Sequence, residues 1–431
     1  MSRNLILITL VLGWVATASA ADSCLPCHER ETPAAVVQWR GSAHAGQVGC
    51  ADCHGSDHAA IVAGKAPVEA KICGRCHEEA FHQHVRSRHG MGLHSGWGCT
   101  RAMDNRDPRE CRFCHEEGST VPKSVVHCAR FLMQSSEMAE IGCNRCHQVE
   151  SSCASCHTNH LTDLAPVRRP DVCATCHMGP DHPQWEMWQT SRHGVLHATA
   201  GEAVGPSCQR CHMPQGSHDV SFGITMTSGM ELLPEKERGP RRGEMLGVCV
   251  ECHGRGFSER ELARNDAVRE QSTALVARAA EVIRTLDDRG LLEPSPAARP
   301  AHPLGGRKLV LDSQMLYENL SRAERLFFKM KKYDLAKAVK GAYHQNPAYT
   351  HWYGNAELKL TLAEIEAEAA LLERVAARAP AAAAASGADP LVGHERRLQE
   401  LKRRFERGAM SAGEYAAEKA RVLNAVGNDP E

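Results

Sequence analysis

Nine copies of Cys-x-x-Cys-His are packed into residues 24 to 253 of a 431-residue chain, and nothing else in the sequence limits the possible folds as severely. The motifs start at Cys24, Cys50, Cys73, Cys111, Cys143, Cys153, Cys173, Cys208 and Cys249. Their second thiols are Cys27, Cys53, Cys76, Cys114, Cys146, Cys156, Cys176, Cys211 and Cys252. The histidines that follow are His28, His54, His77, His115, His147, His157, His177, His212 and His253. Each motif has only about 26 residues of chain to itself, too few to bury an ordinary apolar core. Much of the buried material must therefore come from whatever the motifs hold.

Three chemistries use Cys-x-x-Cys: zinc, a redox disulfide and covalent haem. Zinc does not need a histidine at the next position, and a thioredoxin-like motif would sit in a βαβ unit and rarely repeat. Covalent haem c needs two thiols for the vinyl groups and an imidazole beside them for the iron. The motifs use eighteen of the twenty cysteines, and every motif carries the histidine. The expectation is nine covalent haem c groups in a mostly α protein. Short helices and loops wrap the haems, and a long-helix bundle follows. Without haem such a chain should be largely unfolded.

Residues 1–20 read as a Sec-type signal peptide. Arg3 opens it, Leu5 to Ala16 is apolar, and Ala18-Ser19-Ala20 is a small-residue cleavage site. Cleavage there would leave a soluble, exported, bacterial periplasmic protein. No later stretch reaches the ~18 consecutive apolar residues of a membrane span. Lys plus Arg (51) nearly balance Asp plus Glu (52), so nothing points to nucleic acid or to an acidic membrane surface.

The motif-rich domain is expected over 21–256. Beyond it cysteine vanishes and helix formers take over. "ELARNDAVREQSTALVARAAEVIRTLDDRG", "LYENLSRAERLFFKMKKYDLAKAVKGAYHQNP" and "ELKLTLAEIEAEAALLERVAARA" place apolar residues three and four apart, which predicts three long helices in a bundle over 257–378. Residues 379–392, rich in alanine, read as a linker. Residues 393–427 read as a helical hairpin turning at Gly408 and Ser411, either an ordinary solvated tail or a module that resembles SHOCT.

Each iron takes one ligand from its own motif, which leaves sixteen other histidines for the opposite face. His44, His58, His89, His160, His193, His218 and His344 are the candidate sixth ligands, in phrases such as "GSAHAG", "SRHG" (twice), "TNH" and "GAYHQNP". His82, His84, His94, His127 and His197 are spare candidates, and His302 and His394 receive no role. An iron held by two histidines passes electrons and has no place for substrate.

The chain resembles hydroxylamine oxidoreductase and its multihaem relatives over about residues 22 to 370. The resemblance is carried by "CHERETPAAVVQWRGSAHA", the close pair of motifs at Cys143 and Cys153, "CATCHMGPDHPQWEMWQTSRHG", "CQRCHMPQGSHDV" and "HQNPAYTHWYGNAELKLTLAEIEAE". It implies that the haem at Cys143, Cys146 and His147 is catalytic and keeps an open face. It also implies that Asp181 and His182 are the acid–base pair over that face, and that the remaining haems form a bis-His wire. The close pair of motifs then holds two porphyrins nearly in contact, so electrons reach or leave the active iron quickly. By the same resemblance the assembly is a homotrimer, the substrate a small nitrogen oxide, and the partner an electron-transfer cytochrome or a quinol-oxidising protein.

Two departures matter. The family pattern has eight motifs; the extra one here is Cys111–His115. Cys99 and Cys128 lie outside the motifs and read either as a disulfide or as a haem-edge thiol. Oxidising members also carry a tyrosine that cross-links the catalytic haem of a neighbouring subunit. Counted back from "LAEIEAE", that position falls on His351, between Tyr349 and Tyr353. Lack of the tyrosine favours reduction of nitrite or hydroxylamine to ammonium. Hydroxylamine oxidation, a non-catalytic electron-transfer cytochrome and a sulfur-oxyanion reductase are the rival readings.

Overall fold

The computed structural model describes residues 21–90, 149, 151–227, 229–292, 321–385 and 390–426. The motifs at Cys111 and Cys143, with Cys99, Cys128, His94, His127 and His302, lie outside the described residues. The fold is mostly α. Among the described residues, β pairing amounts to an isolated antiparallel bridge between Met226 and Leu232.

The chain divides into two compact units, Met1–Glu78 with Ser151–Arg168, and Glu79–Glu150 with Arg169–Glu431. In the first unit short helices alternate with turns: Ala21–Glu31, Pro33–Gly41, Cys50–His54, His58–Val62 and Ala70–Cys73. Val36 and Ala70 are its buried apolar residues. That is the thin core expected of a segment whose apolar filling comes from bound groups.

The second unit contains both haem motifs and long helices. The first long helix, Arg255–Asp288, buries Leu262, Val276, Ala279, Ala280, Ile283 and Leu286 at helical spacing. The second is segmented. It starts at a capping box in which Ser321 and Glu324 satisfy each other's backbone, runs Arg322–Lys329, widens into a π-turn over Met330–Asp334 and continues as Leu335–Tyr343. Another π-turn, Thr350–Asn355, leads into the third long helix, Ala356–Ala385. Ile283, Leu286, Phe327, Met330, Val339, Leu358 and Ile365 form their common core, each 1% exposed or less. The third helix runs on through the alanines read as linker. Alanine has the highest helix propensity of any residue, so the run extends the helix instead of ending it.

Helices Pro390–Glu406 and Ala412–Val426 form the expected hairpin around a small core of Leu401, Phe405, Tyr415 and Val422. Gly408 turns the chain with φ of 70°, and Ser411 and Glu414 cap the second helix. No described helix is long and apolar enough to cross a membrane.

Candidate functional site

Seven of the nine motifs fall among the described residues, and six of their histidines face a histidine from elsewhere in the same unit. In the first unit the ring centroids of His28 and His58 lie 6.1 Å apart, those of His44 and His77 6.0 Å, and those of His54 and His160 6.1 Å. In the second unit the separations are 6.0 Å for His89 and His177, 6.1 Å for His193 and His253, and 6.3 Å for His212 and His344. Every pair joins one motif histidine to one histidine outside the motifs.

That spacing has a simple origin. A metal–imidazole nitrogen bond is about 2 Å long, and a ring nitrogen sits about 1 Å from its centroid, so two imidazoles on opposite sides of one ion place their centroids about 6 Å apart. Direct stacking would bring them closer. Two imidazoles per site, with free thiols alongside, suit an iron whose other ligands come from a porphyrin.

Local sequence sets these histidines by a recurring device, Ser-x-His. Ser42, Ser87 and Ser191 each donate a hydroxyl hydrogen bond of 2.7 Å to the carbonyl three residues back, on Trp39, His84 and Trp188. Ser42 and Ser87 accept the backbone N–H of His44 and His89, and Ser191 that of Gly194. Ser87 and Ser191 are buried. In the two "SRHG" phrases glycine must follow, because a Cβ at Gly90 would lie 2.2 Å from the His84 carbonyl and one at Gly194 2.1 Å from that of Trp188. Elsewhere Asp57 caps the turn bearing His58. His160 sits in a left-handed turn, with φ of 60°. The repeated Ser-x-His was visible in the sequence, but its purpose was not.

Several rings are held by the nitrogen that would not meet iron. His28 Nδ1 is 2.8 Å from Thr32 Oγ1, His44 Nδ1 is 3.3 Å from Thr162 Oγ1, and His344 Nδ1 is 2.7 Å from the Lys340 carbonyl. Such bonds turn Nε2 toward the facing ring. Burial lowers His177 to about 3 and His89 and His344 to about 4, and also lowers His54, His193 and His212. For these six rings burial therefore favours the neutral form, which is the ligating one.

The attachment thiols of different motifs also adjoin. Cys73 adjoins Cys153 in the first unit, and Cys173 adjoins Cys208 in the second. His218 lies near the other half of its unit, its N–H donating to Gln83 Oε1 at 2.7 Å. His197 is tied to the Gly205 carbonyl at 2.8 Å, with Glu202 3.4 Å away.

Asp181 and His182 sit in the loop after the Cys173 motif. The loop is closed by Trp185 N–H donating to the His177 carbonyl and by Gly179 N–H donating to Glu186. His182 Nδ1 is 2.8 Å from Asp181 Oδ1. Two lysines that sequence reasoning missed close on the same residue: Lys332 Nζ is 3.1 Å from Asp181 Oδ2, and Lys340 Nζ donates to the Asp181 carbonyl at 3.1 Å. Burial pushes the Asp181 carboxyl up, but the hydrogen bond from His182 and the charge of Lys332 outweigh it and hold the group well below the usual carboxylate range. Burial pulls Lys340 down to about 8. His351 is exposed in the second π-turn against Trp352, and the Tyr349 and Tyr353 rings pack together 4.9 Å apart.

Residues 46–300 match the family model described as seven times multi-haem cytochrome CxxCH. Among curated proteins the chain is 25% identical to a probable nitrite reductase-hydroxylamine oxidoreductase fusion protein of Kuenenia stuttgartiensis, over 82% of this chain and 52% of that one. It thus spans about half the length of that relative. Among solved structures the reducing HAO-like protein complex of Kuenenia stuttgartiensis aligns with a TM-score of 0.66 at 23% identity, covering 83% of this chain and 86% of that one. A protein titled hypothetical multiheme protein aligns with a TM-score of 0.58 at 16% identity, covering 83% and 96%. These two likenesses bear on the fold.

Proposed function

The chain belongs to the multi-haem cytochrome CxxCH family, and from that premise we propose that it is an exported oxidoreductase for small nitrogen oxides, reducing nitrite or hydroxylamine to ammonium. The observation that carries this reading is the coexistence of two different kinds of site. Six histidine pairs at bis-imidazole spacing suit irons that only relay electrons. A half-buried Asp181–His182 pair, by contrast, suits proton transfer.

The haems supply the electrons, of which nitrite needs six to become ammonium and hydroxylamine two. The chain supplies the rest. In this reading the facing pairs His28–His58, His44–His77, His54–His160, His89–His177, His193–His253 and His212–His344 would hold the relay irons. His157 would hold the iron of its own motif, and His218 is a further candidate sixth ligand. His147 holds the substrate-binding iron from one side. Adjoining motif thiols keep neighbouring haems close enough for rapid transfer. Asp181 holds the His182 ring by Nδ1, so that protons reach the substrate through Nε2. An electron-transfer cytochrome or a quinol-oxidising protein would feed the wire, and the assembly would be a homotrimer.

Reduction is favoured over hydroxylamine oxidation by the imidazole of His351 standing where a cross-linking phenol would be needed. Oxidised protein should show a high-spin ferric signal beside the low-spin haems. With a low-potential donor it should yield ammonium from hydroxylamine faster than from nitrite. A uniformly low-spin spectrum with no turnover would make the protein an electron carrier. A His147 haem peptide released bonded to Tyr349 or Tyr353 would make it an oxidiser of hydroxylamine.

A further inference from the structure

The segmented helix carries two lysines toward one aspartate, and its irregularity is what permits this. Lys332 and Lys340 are eight residues apart. At about 100° per residue an unbroken α-helix would turn their side chains some 80° away from each other. The π-turn over Met330–Asp334 contains Lys332 and takes up part of that rotation. Both ammonium groups consequently reach Asp181, Lys332 at the carboxylate and Lys340 at the carbonyl. π-Turns occur within α-helices mostly as single widened turns, frequently at functional sites.

The contacts at Asp181 divide cleanly. Oδ1 takes His182 Nδ1, Oδ2 takes Lys332 Nζ, and the carbonyl takes Lys340 Nζ. Lys332 is largely buried, its side chain 15% exposed, so solvent screens this pair weakly. We infer that Lys332 is the positioning residue of the Asp181–His182 pair: it clamps the carboxylate oxygen opposite the imidazole and so fixes the ring and the tautomer that hands over protons. This rests on the proposed role of the pair and names the group that makes the pair work.

The charged and titratable groups facing Asp181 are His182 from its own loop and Lys332 and Lys340 from the segmented helix; Arg88, His177 and His212 lie beyond Lys340 and His182. Burial alone would favour the neutral acid. A protonated Asp181 would offer His182 a donor in place of an acceptor and would lose its hold on Nδ1–H. Lys332 opposes that protonation, and its removal should let Asp181 take up a proton at higher pH.

The test uses the haem-loaded full chain. Lys332→Met should lower kcat roughly 10–100-fold with little change in KM. It should also move the acid limb of the kcat–pH profile upward by about 1 unit or more. Lys332→Arg should restore the acid limb, and the low-spin haem spectrum should be unchanged in both. If Lys332→Met loses haem, Lys332→Gln carries the same comparison. A wild-type kcat and acid limb in Lys332→Met, in a protein that Asp181→Asn cripples, would overturn the inference and leave the pair standing. Wild-type turnover in Asp181→Asn would remove the pair itself, and the inference with it.

Discussion

At the scale of single residues the chain uses two kinds of histidine, and partners separate them. Of those facing a motif histidine at about 6 Å, His44, His89, His193 and His344 are held through Nδ1 or by a Ser-x-His turn. His182 instead leans on a carboxylate. The two kinds should respond differently to mutation. Asp181→Asn and His182→Gln should each lower turnover by roughly 10²–10⁴, the range for a lost acid or base, with haem content and low-spin spectra unchanged. His344→Gly should do the reverse. On the proposed ligand set it would empty one side of the iron held by His212, so one low-spin signal should become high-spin in the oxidised spectrum, and added imidazole should reverse the change. A spectrum untouched by His344→Gly would remove His344 from the ligand set.

At the scale of elements, the bundle gives the haem-bearing segments of its unit a rigid neighbour. Asn346, buried at the end of the segmented helix, donates to the Met187 carbonyl at 2.8 Å and to Thr190 Oγ1 at 2.9 Å, and so ties His344 to the segment before "SRHG". Lys329 binds Asp334, Glu357 and Thr361 at 2.9 to 3.0 Å across the first π-turn, bracing it against the third long helix. Gly354 lets the second π-turn approach closely, since a Cβ there would lie 2.4 Å from the Ala338 backbone. Gly354→Ala should therefore destabilise the bundle by about 1–3 kcal/mol, read as a lower Tm in the haem-loaded protein. Phe327→Ala, at a fully buried core position, should cost about 3–5 kcal/mol. A Tm unchanged in Gly354→Ala would mean the turn can move away from the segmented helix at little cost.

At the scale of the whole molecule, the division of material matches what the motif density demands. The unit containing the first three motifs has a sparse apolar core, whereas the long helices build a continuous one. Mass spectrometry of the mature protein should find nine haems on a chain starting at Ala21. Eight would mean that one motif, foremost the one at Cys111, is not loaded.

The sequence by itself determined the fold class, the attachment chemistry and the three long helices, because motif spacing and apolar periodicity are local properties that survive without tertiary context. It also marked His44, His58, His89, His160, His193, His218 and His344 as histidines of interest, and all but His218 are seen to face a motif histidine. It could not tell which of them faces which motif, since each pairing joins residues distant in the chain. Nor could it find Lys332 and Lys340. Regular 3.6-residue periodicity sets them some 80° apart around the helix. Regular helical periodicity also fails around His351, where a second π-turn spans Thr350–Asn355. Only packing decides whether a helix widens by one residue, because the wider turn gives up regular hydrogen-bond geometry for contacts made elsewhere in the fold. Here those contacts are a half-buried carboxylate for Lys332 and a close approach of Gly354 to Ala338.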